Sequence, residues 1–141
     1  MKKIALMLGL LGLSALANAA DPLHGTEWRT IDDETKQPKS IVKFTEQKDG
    51  TLKATIQRIL TKGEENACSK CEGTYHNKSL KGLTVVSGLK PDGNGKYTGG
   101  TILDPKSGKS YRSTAELSGA TLTVRGHVGP FKRSQIWSKA N

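Results

Sequence analysis

The sequence holds few of the residues that build catalytic centres or large cores. Among its 141 residues are two cysteines, two tryptophans, two phenylalanines and three tyrosines. It contains no G-x-S-x-G elbow, no phosphate-binding glycine loop and no metal-type pair of histidines. His24, His76 and His127 are scattered. Hydrolytic, nucleotide-dependent and metalloenzyme chemistry therefore find no support; an enzyme is not expected, and neither is a cofactor. Beyond Leu16 no apolar run approaches the roughly 20 residues that span a bilayer, so stable membrane insertion is not expected. No window repeats at 3.6 residues, which argues against helices. Acidic residues are scarce in the second half: Lys78 to Asn141 has 11 Lys and Arg against 3 Asp and Glu, whereas Ala20 to Asn77 has 9 against 10.

The chain opens with what reads as an export signal. Lys2 and Lys3 precede the apolar stretch Ile4 to Leu16, and Ala17-Asn18-Ala19 fits the small-x-small cleavage rule. Residues 1–19 are expected to be removed, leaving one domain over 20–141 in the periplasm or outside the cell. No cysteine lies near the cleavage site, so no lipid anchor is expected.

The rest is organised around a hairpin from Tyr97 to Leu117. Asp104 and Pro105 suit the start of a type I turn, and Gly108 can take the positive φ that closes a four-residue loop. Gly99-Gly100 inside the first arm marks a bulge or bend. Alternation and turn residues place further strands at Trp28–Ile31, Ser40–Glu46, Leu52–Leu60, Leu83–Leu89, Thr121–Val128 and Phe131–Ser138. Lys48-Asp49-Gly50, Pro91 to Gly95, Ser118-Gly119 and Gly129-Pro130 are the turns between them. Eight short strands in near-neighbour hairpins predict an all-β, up-and-down antiparallel barrel, with a β-sandwich as the alternative. A barrel of that size is filled by side chains or holds one small ligand.

The two cysteines stand at C-x-x-C spacing. In an exported chain the pair Cys68–Cys71 is expected to be a disulfide. A thioredoxin-like redox pair would open a helix after a strand, and no helical pattern follows. A zinc site with His76 would lack a fourth ligand. The pair falls in the long connection Thr61 to Gly82, and connections of that length often carry function.

Taken together, Trp28-Arg29-Thr30-Ile31-Asp32-Asp33, Cys68-Ser69-Lys70-Cys71, Gly99 to Pro105 with Gly108 to Tyr111, and Arg133-Ser134-Gln135-Ile136-Trp137 resemble a family of small secreted bacterial proteins. The family is known only as a domain of unknown function, number two-one-four-seven, and its fold is lipocalin-like. The resemblance implies a calyx-shaped barrel that binds a small apolar or amphiphilic ligand, with no catalytic residues. It gives Trp28, Arg133 and Trp137 structural parts, with Arg133 covering the Trp28 ring as an arginine does in lipocalins.

Candidate ligand contacts are Tyr75, Tyr97 and Tyr111, each otherwise a core aromatic. Arg125 and His127 share one face of the seventh strand with Thr123. The default for such a face is to point outward; the alternative is a cationic lining for a ligand carboxylate. The basic second half points to an anionic partner or a solvated lysine surface. No basic run with interleaved aromatics occurs, so nucleic acid is not expected. Two functions remain: a carrier of a small amphiphile, and an envelope or host interaction protein that uses its basic surface without a cavity ligand. A barrel open at one end favours the first, and one packed solid favours the second. No feature of the sequence specifies an oligomeric state.

Overall fold

The structure is a computed structural model that describes residues 19–61 and 67–141. The expected leader lies, apart from Ala19, outside the described residues. Eight strands follow in chain order: β1 Glu27–Ile31, β2 Pro38–Glu46, β3 Leu52–Ile59, β4 Thr84–Pro91, β5 Lys96–Asp104, β6 Lys109–Ser118, β7 Thr121–Val128 and β8 Phe131–Lys139. Each pairs antiparallel with its chain neighbour, and β8 returns to β1 to close the barrel. The expected architecture is thus observed, and closure leaves no open sheet edge among the described residues.

Turn chemistry explains the register. The Asp49 carboxylate accepts from the Thr51 amide at 2.9 Å and the Thr51 hydroxyl at 2.7 Å, and Gly50 sits at φ +85°. In the β5–β6 turn the Gly108 amide donates to the Asp104 carbonyl at 2.7 Å, with Gly108 at φ +77°. That glycine is also required by packing, because a Cβ there would collide with the Lys70 carbonyl. The Gly99-Gly100 pair marks the bend expected of it: the β5–β6 register shifts between Tyr97 and Gly100. A Cβ on Gly100 would stand 2.7 Å from the Leu89 side chain.

Strand alternation divides the barrel into two halves. At the end formed by the β2–β3, β4–β5 and β6–β7 turns, Trp28, Phe44, Leu52, Leu89, Tyr97, Leu122 and Trp137 fill the interior. Phe44 and Trp137 pack with ring centroids 6.4 Å apart. The segment before β1 plugs this end. Leu23 is fully buried there, held by hydrogen bonds between Gly25 and Phe44 and between Phe44 and Thr26. Full burial of such a side chain contributes roughly 1.5–3 kcal/mol.

Trp28 lies in this closed end, but Arg133 does not cover it. Trp28 stands opposite Lys139 in the β1–β8 ladder. Arg133 lies six positions earlier on β8, about 20 Å along the strand at roughly 3.3 Å per residue. It faces Gly126 in register and reaches Asp33 at 3.6 Å. The Trp28 indole N–H instead donates to the Thr26 hydroxyl at 2.8 Å. A strand that runs the full height of the barrel separates its first residues from its last, so the two side chains belong to opposite ends.

The connection between β3 and β4 contains a three-residue 3-10 turn, Gly73–Tyr75, and one bridge, Ala67 to Ser79. Cys68 and Cys71 form the expected disulfide, with Cα atoms 5.3 Å apart. Both are buried in the same apolar cluster as Leu80, Leu83, Val85 and Leu103. The Cys68 sulfur lies 3.7 Å from the Pro105 carbonyl. The small ring therefore fastens the long connection to the tip of the β5–β6 hairpin. Among the described residues no helix is long and apolar enough to cross a membrane.

Candidate functional site: a cavity at the open end

The other half of the barrel is not filled. A cavity of about 620 Å³ opens between the upper parts of β5 to β8 and the β1–β2 turn. Its apolar wall is made by Ile102, Tyr111, Val124, Val128 and Phe131. These are inner-face positions, two residues apart along their strands, so alternation aims them at one space. Gly126 contributes room rather than contact. A Cβ there would lie 3.6 Å from the Ile102 side chain and 3.8 Å from the Tyr111 Cβ, ordinary contact distances.

The rim is charged with both signs. Asp32, Asp33, Glu34 and Asp104 share it with Lys39, Lys106, Lys132 and Arg133. Lys106 pairs with Glu34 at 3.1 Å, and Gln135 donates to Asp33 at 2.7 Å. The basic excess of the second half therefore does not make a basic mouth. Closure brings the acidic β1–β2 turn beside the basic strands of the second half, so the imbalance between chain halves is not an imbalance between barrel ends. Asp32 orders that turn. Its carboxylate accepts from the Thr35 and Glu34 amides at 2.9 and 2.8 Å, and these bonds hold its pKa below the usual carboxylate range, with smaller help from Lys106 and Lys39.

A second, smaller cavity of about 220 Å³ lies under the long connection. Ala67, Ser69, Lys70 and Leu80 face Ser40, Ile56 and Ile59 across it, and Lys39 and Lys106 line both cavities. The connection thus walls the smaller cavity and contributes no residue to the lining of the large one.

Residues 26–139 match the model of the family described as "Uncharacterized protein conserved in bacteria (DUF2147)". The chain belongs to that family. Its fold is similar to that of a solved structure described as "Protein HP1028 from the human pathogen Helicobacter pylori belongs to the lipocalin family". The likeness covers 84% of this chain and 83% of that chain, with a TM-score of 0.73 and 20% identity. At that identity it shows the fold, a lipocalin-like barrel. No curated protein matches the chain.

Of the residues expected to contact a ligand, this DUF2147 barrel places only Tyr111 in the wall of the large cavity. Tyr97 is core at the opposite end: it is 2% exposed, and its hydroxyl donates to Asp21 at 2.7 Å. Tyr75 is 41% exposed on the long connection and lines neither cavity. Arg125 and His127 point outward, as the default reading of their strand had it. Their inner-face neighbours Val124 and Gly126 occupy the wall, and His127 meets the outward Thr114 hydroxyl at 3.0 Å. The sequence reading missed Val124, Val128 and Phe131, although the same two-residue period carries them.

One polar atom of the interior has no hydrogen-bond partner among the described residues. It is the hydroxyl of Ser113, a residue 1% exposed. Ser113 lies on β6 between Gly100 and Gly126 in register, two residues from Tyr111 on the same inner face. It therefore adjoins the floor of the cavity.

Proposed function

We propose that the protein is an exported binding protein that holds one small amphiphile in the open half of its barrel. The observation that carries this reading is the cavity itself: about 620 Å³ above a closed end that is packed solid. Sites for small molecules are commonly about 300–1,000 Å³ and mostly apolar, with a few polar groups that fix orientation. An acyl or other apolar tail would lie against Ile102, Tyr111, Val124 and Val128. The mixed rim suits an anionic or zwitterionic head group, and the Ser113 hydroxyl would receive a polar atom that reaches the floor. Export rests on the expected leader over residues 1–19, and a disulfide suits the periplasm or the extracellular space. The reading is of a carrier rather than an enzyme. An open cavity favours it over a macromolecular interaction that needs no cavity.

Calorimetry with a series of fatty acids and lysophosphatidylcholines tests it. Affinity should fall about fourfold for each methylene removed, the equivalent of about 0.8 kcal/mol. Gly126→Val should weaken binding while the barrel stays folded, since the added methyls enter the space now left beside Ile102 and Tyr111. Absence of binding at high micromolar ligand, or binding untouched by Gly126→Val, would overturn the reading.

A further inference from the structure

The β7–β8 hairpin carries an unusual combination at the open end. Its turn, Gly129-Pro130, is flanked by Val128 and Phe131, 50% and 75% exposed. An exposed phenylalanine at a hairpin tip leaves apolar surface in water that packing elsewhere in the barrel would have buried. Directly behind the tip, Arg112, His127 and Lys132 stand opposite one another on β6, β7 and β8 and form one row across the outer face. The next row holds Thr114, Arg125 and Ser134. Among the described outward positions of these three strands the sole acid is Glu116, in the row after that. At the rim Lys132 adds to this positive row, while Arg133 is paired with Asp33 at 3.6 Å.

We propose that this hairpin is a docking surface for an anionic lipid bilayer. Phe131 and Val128 would enter the boundary between head groups and acyl chains, while the outward Arg112, Arg125 and Lys132 would lie at head-group level against lipid phosphates. Apolar burial together with attraction to anionic lipid is the usual basis of peripheral attachment. The charge complementarity and the exposed aromatic select lipid over a protein partner: the apolar element is a narrow tip with cations on its flank, not a flat patch. Because Val128 and Phe131 also line the large cavity, the docked barrel would present its mouth to the membrane. Docking itself does not depend on a cavity ligand.

Vesicle flotation with the full mature chain tests the surface. The protein should float with phosphatidylglycerol–phosphatidylcholine vesicles and not with pure phosphatidylcholine, and salt should weaken the attachment. Phe131→Ser should lower affinity about tenfold, and Lys132→Glu about fivefold or more. Ile136→Ser serves as the control: Ile136 is 62% exposed on the same strand but away from the tip, and should have no effect. Phe131→Trp should show a blue-shifted emission on binding. The same measurements on Gly126→Val separate docking from ligand uptake, since that variant should still float. Failure to bind anionic vesicles, equal binding to neutral ones, or an Ile136→Ser effect as large as that of Phe131→Ser would overturn the proposal.

Discussion

The hydroxyl of Tyr97 donates to the Asp21 carboxylate at 2.7 Å across 76 residues of sequence, and ties the plug before β1 to the far side of the barrel. Burial pushes the Tyr97 phenol well above its ordinary range, and the neighbouring Asp21 carboxylate adds to the shift. A group whose pKa is raised on folding contributes stability that is complete below its unfolded pKa, about 10 for tyrosine. That stability is lost as pH rises further, because the unfolded chain ionises first. Thermal melts should therefore show a marked fall in midpoint above about pH 10 that is diminished in Tyr97→Phe. At neutral pH the same variant should lose about 1–3 kcal/mol with the hydrogen bond to a charged group. An unchanged alkaline limb in Tyr97→Phe would show that the link does not contribute.

Trp28 and Arg133 should behave as residues of opposite ends. Trp28→Ala removes a large side chain that is 1% exposed and should cost about 3–5 kcal/mol in urea unfolding. The Arg133 side chain is 79% exposed, and Arg133→Ala should change stability by no more than about 0.5 kcal/mol. A double-mutant cycle should give no coupling between them. Coupling above about 1 kcal/mol would reinstate a direct contact.

Reduction of the Cys68–Cys71 disulfide should loosen the long connection and leave the barrel folded. A ring this small constrains the unfolded chain by only about 2 kcal/mol. Both sulfurs are buried against the β5–β6 hairpin, so thiol labelling of the native oxidised protein should find none reactive. Hydrogen exchange after reduction should speed up at residues 67–83 and stay slow in β2, β6 and β7. Global unfolding on reduction would contradict this.

Ser113→Ala is expected to act against the usual sign of a core substitution. A buried hydroxyl without a partner carries a penalty of roughly 1–3 kcal/mol, and alanine removes it at the loss of little volume. The ligand-free protein should melt at a higher temperature. Binding of any ligand whose polar end reaches the cavity floor should weaken. A lower melting temperature would mean that the hydroxyl is satisfied in solution.

The barrel was legible in the sequence because its turns are chemically marked. Asp49-Gly50, Asp104 to Gly108 and the Gly99-Gly100 bend each require residue types that few other conformations select. The site was only partly legible. Tyr111 and Val124 obey the same alternation that built the strands, yet alternation names a face and not its height in the barrel. Height separates the packed Tyr97 from the open Tyr111, and it also places Arg133 far from Trp28. The plug at Leu23 has no periodic neighbours to announce it. The mixed rim arises from a juxtaposition that no local window contains, that of Asp32 to Glu34 with Lys132 and Arg133.

Six of the eight ladders join strands linked by short turns and can form as local hairpins, and a seventh, β3 with β4, closes across the long connection. The eighth, β1 with β8, has only Trp28–Lys139 and Arg29–Ser138 in register, supported by the Ala140 amide on the Glu27 carbonyl. Bonds beside this seam span 114 residues from the Glu27 amide to Asn141 and 116 from the Asn141 side chain to the Gly25 carbonyl, so its closure entropy is the largest of the eight ladders among the described residues. Hairpins form in about 1–10 μs, while long-range β pairing is slow. The chain should therefore pass most of its folding time as an open, curved sheet with two free edges. In pulse-labelling hydrogen exchange the amides at the seam should be the last to gain protection. During that interval the molecule is most exposed to pairing with another copy of itself, and the seam decides how quickly that exposure ends.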